Sequence, residues 1–167
     1  MKKEDLAKLV KSKIGDSLFV VVSNREPYMH LREEETIHCV RPASGMAVAL
    51  DSVMKACGGV WIAHGSGNAD MDVVDERDGL MVPEDNPKYR LRRVWMNKEE
   101  EEGYYDITSN EMFWPLCHTV YVRPRFDEDS WKKYRTINER FVTAILEEIG
   151  NKKAFIWFQD FHLSLAP

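Results

Sequence analysis

Polar residues follow or precede apolar runs at three points in this chain. Asn24-Arg25 comes after LFVVVS (Leu18 to Ser23), Ser44-Gly45 stands ahead of a helical run, and Gln159-Asp160 with His162 follows AFIWF (Ala154 to Phe158). In an open α/β sheet, ligands bind beyond the carboxyl ends of the strands, so these clusters can line one crevice. A guanidinium directly after a buried strand, as at Arg25, can grip a phosphate or carboxylate through two parallel hydrogen bonds. The plainer reading of Arg25 is a surface ion pair with Glu26 or another acid. Gly45 at a helix start allows close backbone approach, and the free amides with the helix dipole favour an anion such as phosphate. An ordinary turn is the competing reading there. Asp160 has a plain reading as a helix N-cap, and His162 as a satisfied core histidine.

Other candidate chemistry is thinner. His38-Cys39 and Cys117-His118 would have to converge to hold a metal, and neither spacing matches a ligand pattern, so no metal and no cofactor are expected. The three cysteines, Cys39, Cys57 and Cys117, are scattered without a CxxC pair, which points to a reducing compartment. Gly65-Ser66-Gly67 only superficially resembles a nucleophile elbow, since no G-x-S-x-G is present.

Composition bounds the rest. The chain has 167 residues, 31% charged and 44% hydrophobic, which describes one soluble globular domain. Lys plus Arg number 23 against 28 Asp plus Glu, and the net charge of -5 argues against nucleic acid as partner. Met1 to Ser17 contains no continuous apolar stretch long enough for a signal peptide or a membrane span, so a cytoplasmic location and no membrane partner are expected.

The elements that must position the polar clusters read as alternating strands and helices. Leu6, Val10 and Ile14 recur at helical spacing and Gly15 closes that segment, giving an N-terminal helical extension over 1–17. LFVVVS is a continuous apolar run, the pattern of a strand covered on both faces in a parallel sheet. The polar stretch from Glu26 to Pro42 reads as a long loop, fit to act as a lid. Met46, Ala49, Leu50, Val53 and Met54 share one face of a helix that ends at Cys57-Gly58-Gly59, and VWIAH (Val60 to His64) is the next strand. Strand, loop, helix and strand make a crossover unit of a parallel α/β sheet.

Gly65 to Pro87 reads as irregular connection, with room for a hairpin, and Arg90 to Asn97 as a strand. Two short helices are expected at Glu99 to Tyr105 and Ser109 to Phe113, with Trp114-Pro115 breaking the second. Asp129 to Ile149 carries the stripe Tyr134, Ile137, Phe141, Ile145 and Ile149 of a long amphipathic helix. AFIWF then reads as a second fully apolar, central strand.

Five segments in this order spell a recognisable pattern: VVVSNR (Val20 to Arg25), SGMAVAL (Ser44 to Leu50), GGVWIAHGSG (Gly58 to Gly67), GYYDITSNEMFWPLCH (Gly103 to His118) and IWFQDFHLSLAP (Ile156 to Pro167). Together they resemble the motifs of the trehalose-6-phosphate synthases, over Leu18 to Pro167. The resemblance implies the N-terminal, Rossmann-like acceptor-binding domain (18–167) of a retaining glycosyltransferase of the GT-B type, with parallel sheet and flanking helices. Such enzymes move glucose from UDP-glucose to glucose-6-phosphate without a catalytic metal. The C-terminal domain that holds most of the nucleotide sugar is not within this sequence, so the isolated fragment is expected to be inactive.

Motif by motif, the resemblance implies that Arg25 binds the acceptor's phosphate, that Tyr105 and Trp114 help bind the sugar phosphate, and that Gly45 approaches the donor diphosphate. Asp160 is similar to the acid that orients acceptor hydroxyls near the reacting centre, and His162 to a neighbouring structural histidine. Two departures fall beside the acceptor: His64 stands where the family often has Trp, as a second, titratable phosphate contact, and Gln159 where it usually has His. They open an alternative acceptor, such as glycerol-3-phosphate in the glucosylglycerol-phosphate synthases. A non-catalytic sugar-phosphate-binding domain is the further alternative.

Overall fold

The structure, a computed structural model, describes the backbone of residues 3–167 and the side chains from residue 5 onward. Helix α1 (Lys3–Ile14) precedes strand β1 (Leu18–Ser23); β2 (Met29–Glu33) and β3 (Thr36–Val40) follow, then helix α2 (Gly45–Cys57) and β4 (Val60–His64). After a 3-10 turn at Asp70–Asp72 come β5 (Gly79–Val82) and β6 (Tyr89–Val94). A helical stretch begins as α3 (Lys98–Glu101), runs through a π-helical segment at Glu102–Phe113 and returns to α-helix in α4 (Trp114–Cys117). Helix α5 (Glu128–Ile149), strand β7 (Ala154–Phe158) and a 3-10 turn at Phe161–Leu163 complete the order.

The main sheet runs β5-β6-β4-β1-β7, with every neighbouring pair parallel except β5 and β6. Strand β1 is apolar from Leu18 to Val22 because both faces are covered. Val20 and Val22 face Tyr134, Ile137, Phe141 and Ile145 of α5 and Tyr104 of the π-helical segment. Phe19 and Val21 face the other way, onto Ala47, Leu50 and Met54 of α2. Asp127 caps α5 by accepting from the Ser130 amide, and Gly150 ends it at φ 54, in the left-handed region that favours glycine.

The fold class is the expected one, and several local expectations need correcting. The stretch from Glu26 to Pro42 is not an open loop: β2 and β3 pair as an antiparallel hairpin, turning at Glu34 with φ 54. Its surface charges hide the strand alternation, because only His30 of β2 is fully buried. The strand AFIWF lies at the sheet edge, not its centre; Phe155 and Trp157 stay exposed, since α2 covers β1 and β4 and stops short of β7. The buried face of α2 runs through Ala47, Leu50, Asp51 and Met54, leaving Ala49 exposed. Asp51 is admitted because the Tyr28 and Tyr89 hydroxyls and Lys55 donate to its carboxylate. The two short helices expected around Glu99 and Ser109 are one continuous helical stretch, and Pro115 does not break it: the Glu111 carbonyl, four residues before it, accepts from the Arg125 amide instead.

Candidate functional site

Arg25 leaves β1 at its carboxyl end, and its backbone is pinned there. Ser23 Oγ donates to the Arg25 carbonyl at 2.7 Å while accepting from Trp61 Nε1 at 2.8 Å, a relay buried between β1 and β4. The guanidinium itself is exposed and Nη2 donates to Tyr105 Oη at 3.1 Å. Arg25 does not pair with Glu26, as the plain reading would have it.

Tyr105 reaches Arg25 because of the π-helical segment. Nine residues make about two and a half turns of an α-helix, so Tyr105 and Trp114 would project from opposite sides. In a wider i→i+5 helix nine residues make about two turns, and the two rings come into phase. Tyr105, Asn110, Trp114 and His118, spaced five, four and four apart, all line one cavity of about 300 Å³. Across it stand Arg25, Ser44, Asp160 and His162. Gly103 lets this helical segment lie close against α5, since an added Cβ would sit 2.5 Å from Lys133 Cδ and 3.3 Å from Ser130 Cα.

The exit of β7 supplies the remaining wall. Asp160 has φ 74 and accepts a hydrogen bond from the Phe161 amide at 2.8 Å, so the plain N-cap reading holds for one oxygen. Its carboxylate is still about half exposed to the cavity. His162 is not the satisfied core histidine of the plain reading: Nε2 is buried without a hydrogen-bond partner among the described residues. Its ring stacks between Phe161, at 4.6 Å and 23°, and Tyr105, at 5.4 Å and 13°. Burial lowers its pKa, the Arg25 charge adds to the effect and Asp160 opposes it.

Gly45 itself lies between Ser44 and Met46, which both line the cavity. An added Cβ at Gly45 would meet no protein atom within 4 Å, and the first turn of α2 carries no acidic side chain to offset the helix dipole. Ser44 Oγ already accepts from the Ala47 amide.

His64 lies on the other side of Arg25. It lines a smaller pocket of about 110 Å³ together with Arg25, Glu26, Ser66 and Tyr105. Burial lowers its pKa, against the fields of Glu101 and Asp70, so it faces Arg25 as a neutral ring. Behind it, fully buried Arg93 donates Nε to Glu26 at 3.0 Å, Nη1 to the Asp70 carbonyl at 2.8 Å and Nη2 to the Tyr28 carbonyl at 3.1 Å, and Nη2 stands 2.8 Å from Asp70 Oδ1 as an ion pair. Burial, with the neighbouring Asp70 carboxyl, pushes Glu26 up to about 8, while Asp70 is held below its usual value. Burial alone would raise Asp70; the His30 amide, which donates to it at 2.7 Å, the Glu26 carboxyl and the Arg93 charge outweigh it. Burial thus favours the proton-bound form at Glu26, and these contacts the charged form at Asp70.

The cysteine-histidine pairs seen in the sequence do not converge. Among the described residues, the one group whose potential ligand atoms lie within 4.8 Å of one another is His30, Cys39 and Glu84. The donor set does not fit a metal. Arg93 can only donate, so His30 Nδ1 accepts from it at 2.8 Å, and Nε2 carries the hydrogen that Glu84 accepts at 2.9 Å. His38 is engaged with Thr36. A larger hollow of about 520 Å³, between α1, the end of α2 and the entry to β1, lies at the opposite end of the sheet from the strand-end cluster.

The strand-end clusters of Arg25, Ser44-Gly45 and Asp160 with His162 meet at one end of the sheet, and Tyr105, Trp114 and His64, which only the motif resemblance singles out, lie beside them there. Sequence reasoning missed Asn110 and His118, whose signal was their presence in the same motif as Trp114.

Comparison with known proteins adds a family. A profile described as glycosyltransferase family 20 matches residues 17–167. The trehalose-6-phosphate synthase of Mycobacterium ulcerans is 34% identical over 155 residues, covering 92% of this chain and 30% of that protein. That of Mycobacterium tuberculosis is 31% identical over 156 residues, with the same coverage. Among solved structures, an alpha,alpha-trehalose 6-phosphate synthase from Burkholderia multivorans matches with TM-score 0.62 and 26% identity, over 88% of this chain and 29% of its own. An E. coli structure described as bound with UDP-2-fluoro glucose matches with TM-score 0.61 and 26% identity, over 88% and 28%. The chain thus spans about 30% of the length of the curated relatives it matches.

Proposed function

The chain belongs to glycosyltransferase family 20, and from that premise we propose that it forms the acceptor-binding part of an enzyme that transfers glucose from UDP-glucose to glucose-6-phosphate, giving trehalose-6-phosphate and UDP. Residues 18–167 are the acceptor-binding domain and 1–17 an extension of it, within the cytoplasm. No described helix is long and apolar enough to cross a membrane.

The observation that carries this reading is the exposed Arg25 guanidinium, held by the Tyr105 hydroxyl at the mouth of a cavity shared with Trp114 and Asp160. A phosphate takes the guanidinium fork in two charge-assisted hydrogen bonds. The sugar ring then lies against Trp114, and Asp160 accepts from its hydroxyls and fixes the attacking oxygen, a positioning role that needs no titration. The donor sits with its diphosphate toward the open amides at Gly45 and Met46. As the bond from the glucose anomeric carbon to UDP breaks, negative charge grows on the leaving oxygen, and the amides and dipole of α2 stabilise it. The acceptor hydroxyl attacks on the same face and passes its proton to the departing diphosphate, which retains the anomeric configuration. The rest of the nucleotide-sugar site is assigned to sequence that the longer relatives possess beyond this stretch, so this chain alone is expected to bind acceptor and not to turn over.

A second acceptor, glycerol-3-phosphate, is favoured by one observation: buried His64 narrows the space beside Arg25, which suits a smaller phosphate ester. Calorimetric titration of the chain with glucose-6-phosphate and glycerol-3-phosphate, repeated on Arg25→Ala, separates the readings. Binding of glucose-6-phosphate that is lost in Arg25→Ala supports the first. Preference for glycerol-3-phosphate supports the second, and no binding of either removes the acceptor assignment.

A further inference from the structure

We propose that His118 is a substrate-binding residue of this site, its Nε2 accepting a hydrogen bond from a hydroxyl of the acceptor sugar; the proposal rests on the acceptor reading above and extends it. The ring is oriented on two sides. It stacks on Trp114 at 5.0 Å and 26°, and presents its edge to Phe161 at 6.1 Å and 85°. Nδ1 lies 2.9 Å from the Trp114 carbonyl oxygen, to which the His118 amide also donates at 3.1 Å. A carbonyl only accepts, so Nδ1 carries the hydrogen, and in the neutral imidazole Nε2 is left with its lone pair.

No described protein group hydrogen-bonds Nε2, and the exposed ring lines the same cavity as Arg25, Trp114 and Asp160. The division of labour between the two nitrogens is the point. Nδ1 adds a second hydrogen bond to the Trp114 carbonyl at the end of α4, which any short amide side chain could do. The far nitrogen is the one left without a partner among the described residues, and it offers an acceptor where a ring rich in hydroxyl donors is to be held. Arg25 binds charge at the phosphate, while Trp114 offers an apolar face, 42% exposed. Asp160 and His118 then supply acceptors on neighbouring walls, and the set discriminates a sugar phosphate from bare phosphate.

Two amide substitutions separate the nitrogens. His118→Asn keeps a donor near the Nδ1 position and removes Nε2, whereas His118→Gln sets a polar amide near the Nε2 position. Glucose-6-phosphate affinity is expected to fall about tenfold in His118→Asn, the loss of one well-placed hydrogen bond, with the melting temperature unchanged. Recovery to within about threefold of wild type is expected in His118→Gln. Inorganic phosphate, which carries no sugar hydroxyl, should bind His118→Asn and wild type alike. Unchanged glucose-6-phosphate affinity in His118→Asn overturns the proposal while leaving the Arg25 reading intact. Equal losses for glucose-6-phosphate and phosphate, or losses that track a lowered melting temperature in both variants, reduce His118 to a helix cap. Failure of wild type to bind glucose-6-phosphate removes the acceptor reading and the proposal with it.

Discussion

The His162 and Tyr105 rings lie nearly parallel, 5.4 Å apart, and the Tyr105 hydroxyl accepts from Arg25 at 3.1 Å. A residue beyond β7 thus holds a residue of the π-helical segment, which in turn holds the guanidinium beyond β1. Both contacts join segments far apart in sequence, so the Arg25 end of the cavity is set by packing rather than by a local loop.

Replacing His162 by Phe preserves the stack, whereas Ala removes it. His162→Ala is expected to weaken sugar-phosphate binding roughly tenfold and to destabilise by about 2 kcal/mol, in the range of a buried ring truncation that leaves a partly collapsible gap. His162→Phe should bind like wild type. The folded-state pKa of His162 lies below its unfolded value, so its contribution is fully present above about pH 6.5 and is lost as pH falls. Melting curves from pH 7.5 to 5 should therefore be flatter for His162→Phe than for wild type. Equal slopes would show that His162 is not held neutral.

Gly103→Ala tests the closeness of the π-helical segment to α5. The new methyl would meet Lys133 Cβ at 3.2 Å and the Ser130 backbone at 3.3 Å, and backbone cannot swing aside as a lysine end can. A loss of about 1–3 kcal/mol is expected from overpacking, together with weaker glucose-6-phosphate binding as Tyr105 moves. An unchanged melting temperature and affinity would mean that the segment shifts freely.

What the sequence made legible follows its periodicity. Apolar runs with both faces covered identified β1 and β4, and the stripe from Tyr134 to Ile149 identified α5. The π-helical segment has no such signature: its apolar positions fit neither a 3.6 nor a 2 period, so the sequence divides it into two short helices, with Tyr105 ending the first and Trp114 outside the second. The β2-β3 hairpin was hidden by charge on its exposed positions, and β7 by an apolar composition that says nothing of neighbours. At the site, strand-end placement and motif resemblance located Arg25, Tyr105, Trp114 and Asp160. Glu26 was the opposite case, an acid beside Arg25 that turns inward to Arg93 across 67 positions.

The Glu26, Asp70 and Arg93 cluster makes stability fall with rising pH. Glu26 titrates at about 8 in the folded chain against an ordinary value of 4.5, so the folded state binds the extra proton between these limits. Its contribution is complete below about pH 4.5 and is lost as pH rises through 8. Relative to Glu26→Gln, which is neutral throughout, wild type should lose on the order of 3 kcal/mol between pH 5 and 9. Urea melts at three pH values give the difference. A constant offset would place the proton elsewhere in the cluster.

The edge strand carries the last expectation. Phe155 and Trp157 project on the face of β7 that α2 leaves uncovered, 47% and 42% exposed, beside Phe19 and Val21 of β1. β7 pairs on one side only, so its outer backbone groups have no strand partner among the described residues. An uncharged, aromatic edge of this kind templates pairing with another chain, and a single lysine on it is a common way to prevent that. Sedimentation velocity of this chain should show association that strengthens with concentration, and Trp157→Lys should return it to monomer without lowering the melting temperature by more than a few degrees. A wild-type chain that stays monomeric at high concentration would show that the twist and shortness of β7 already protect it.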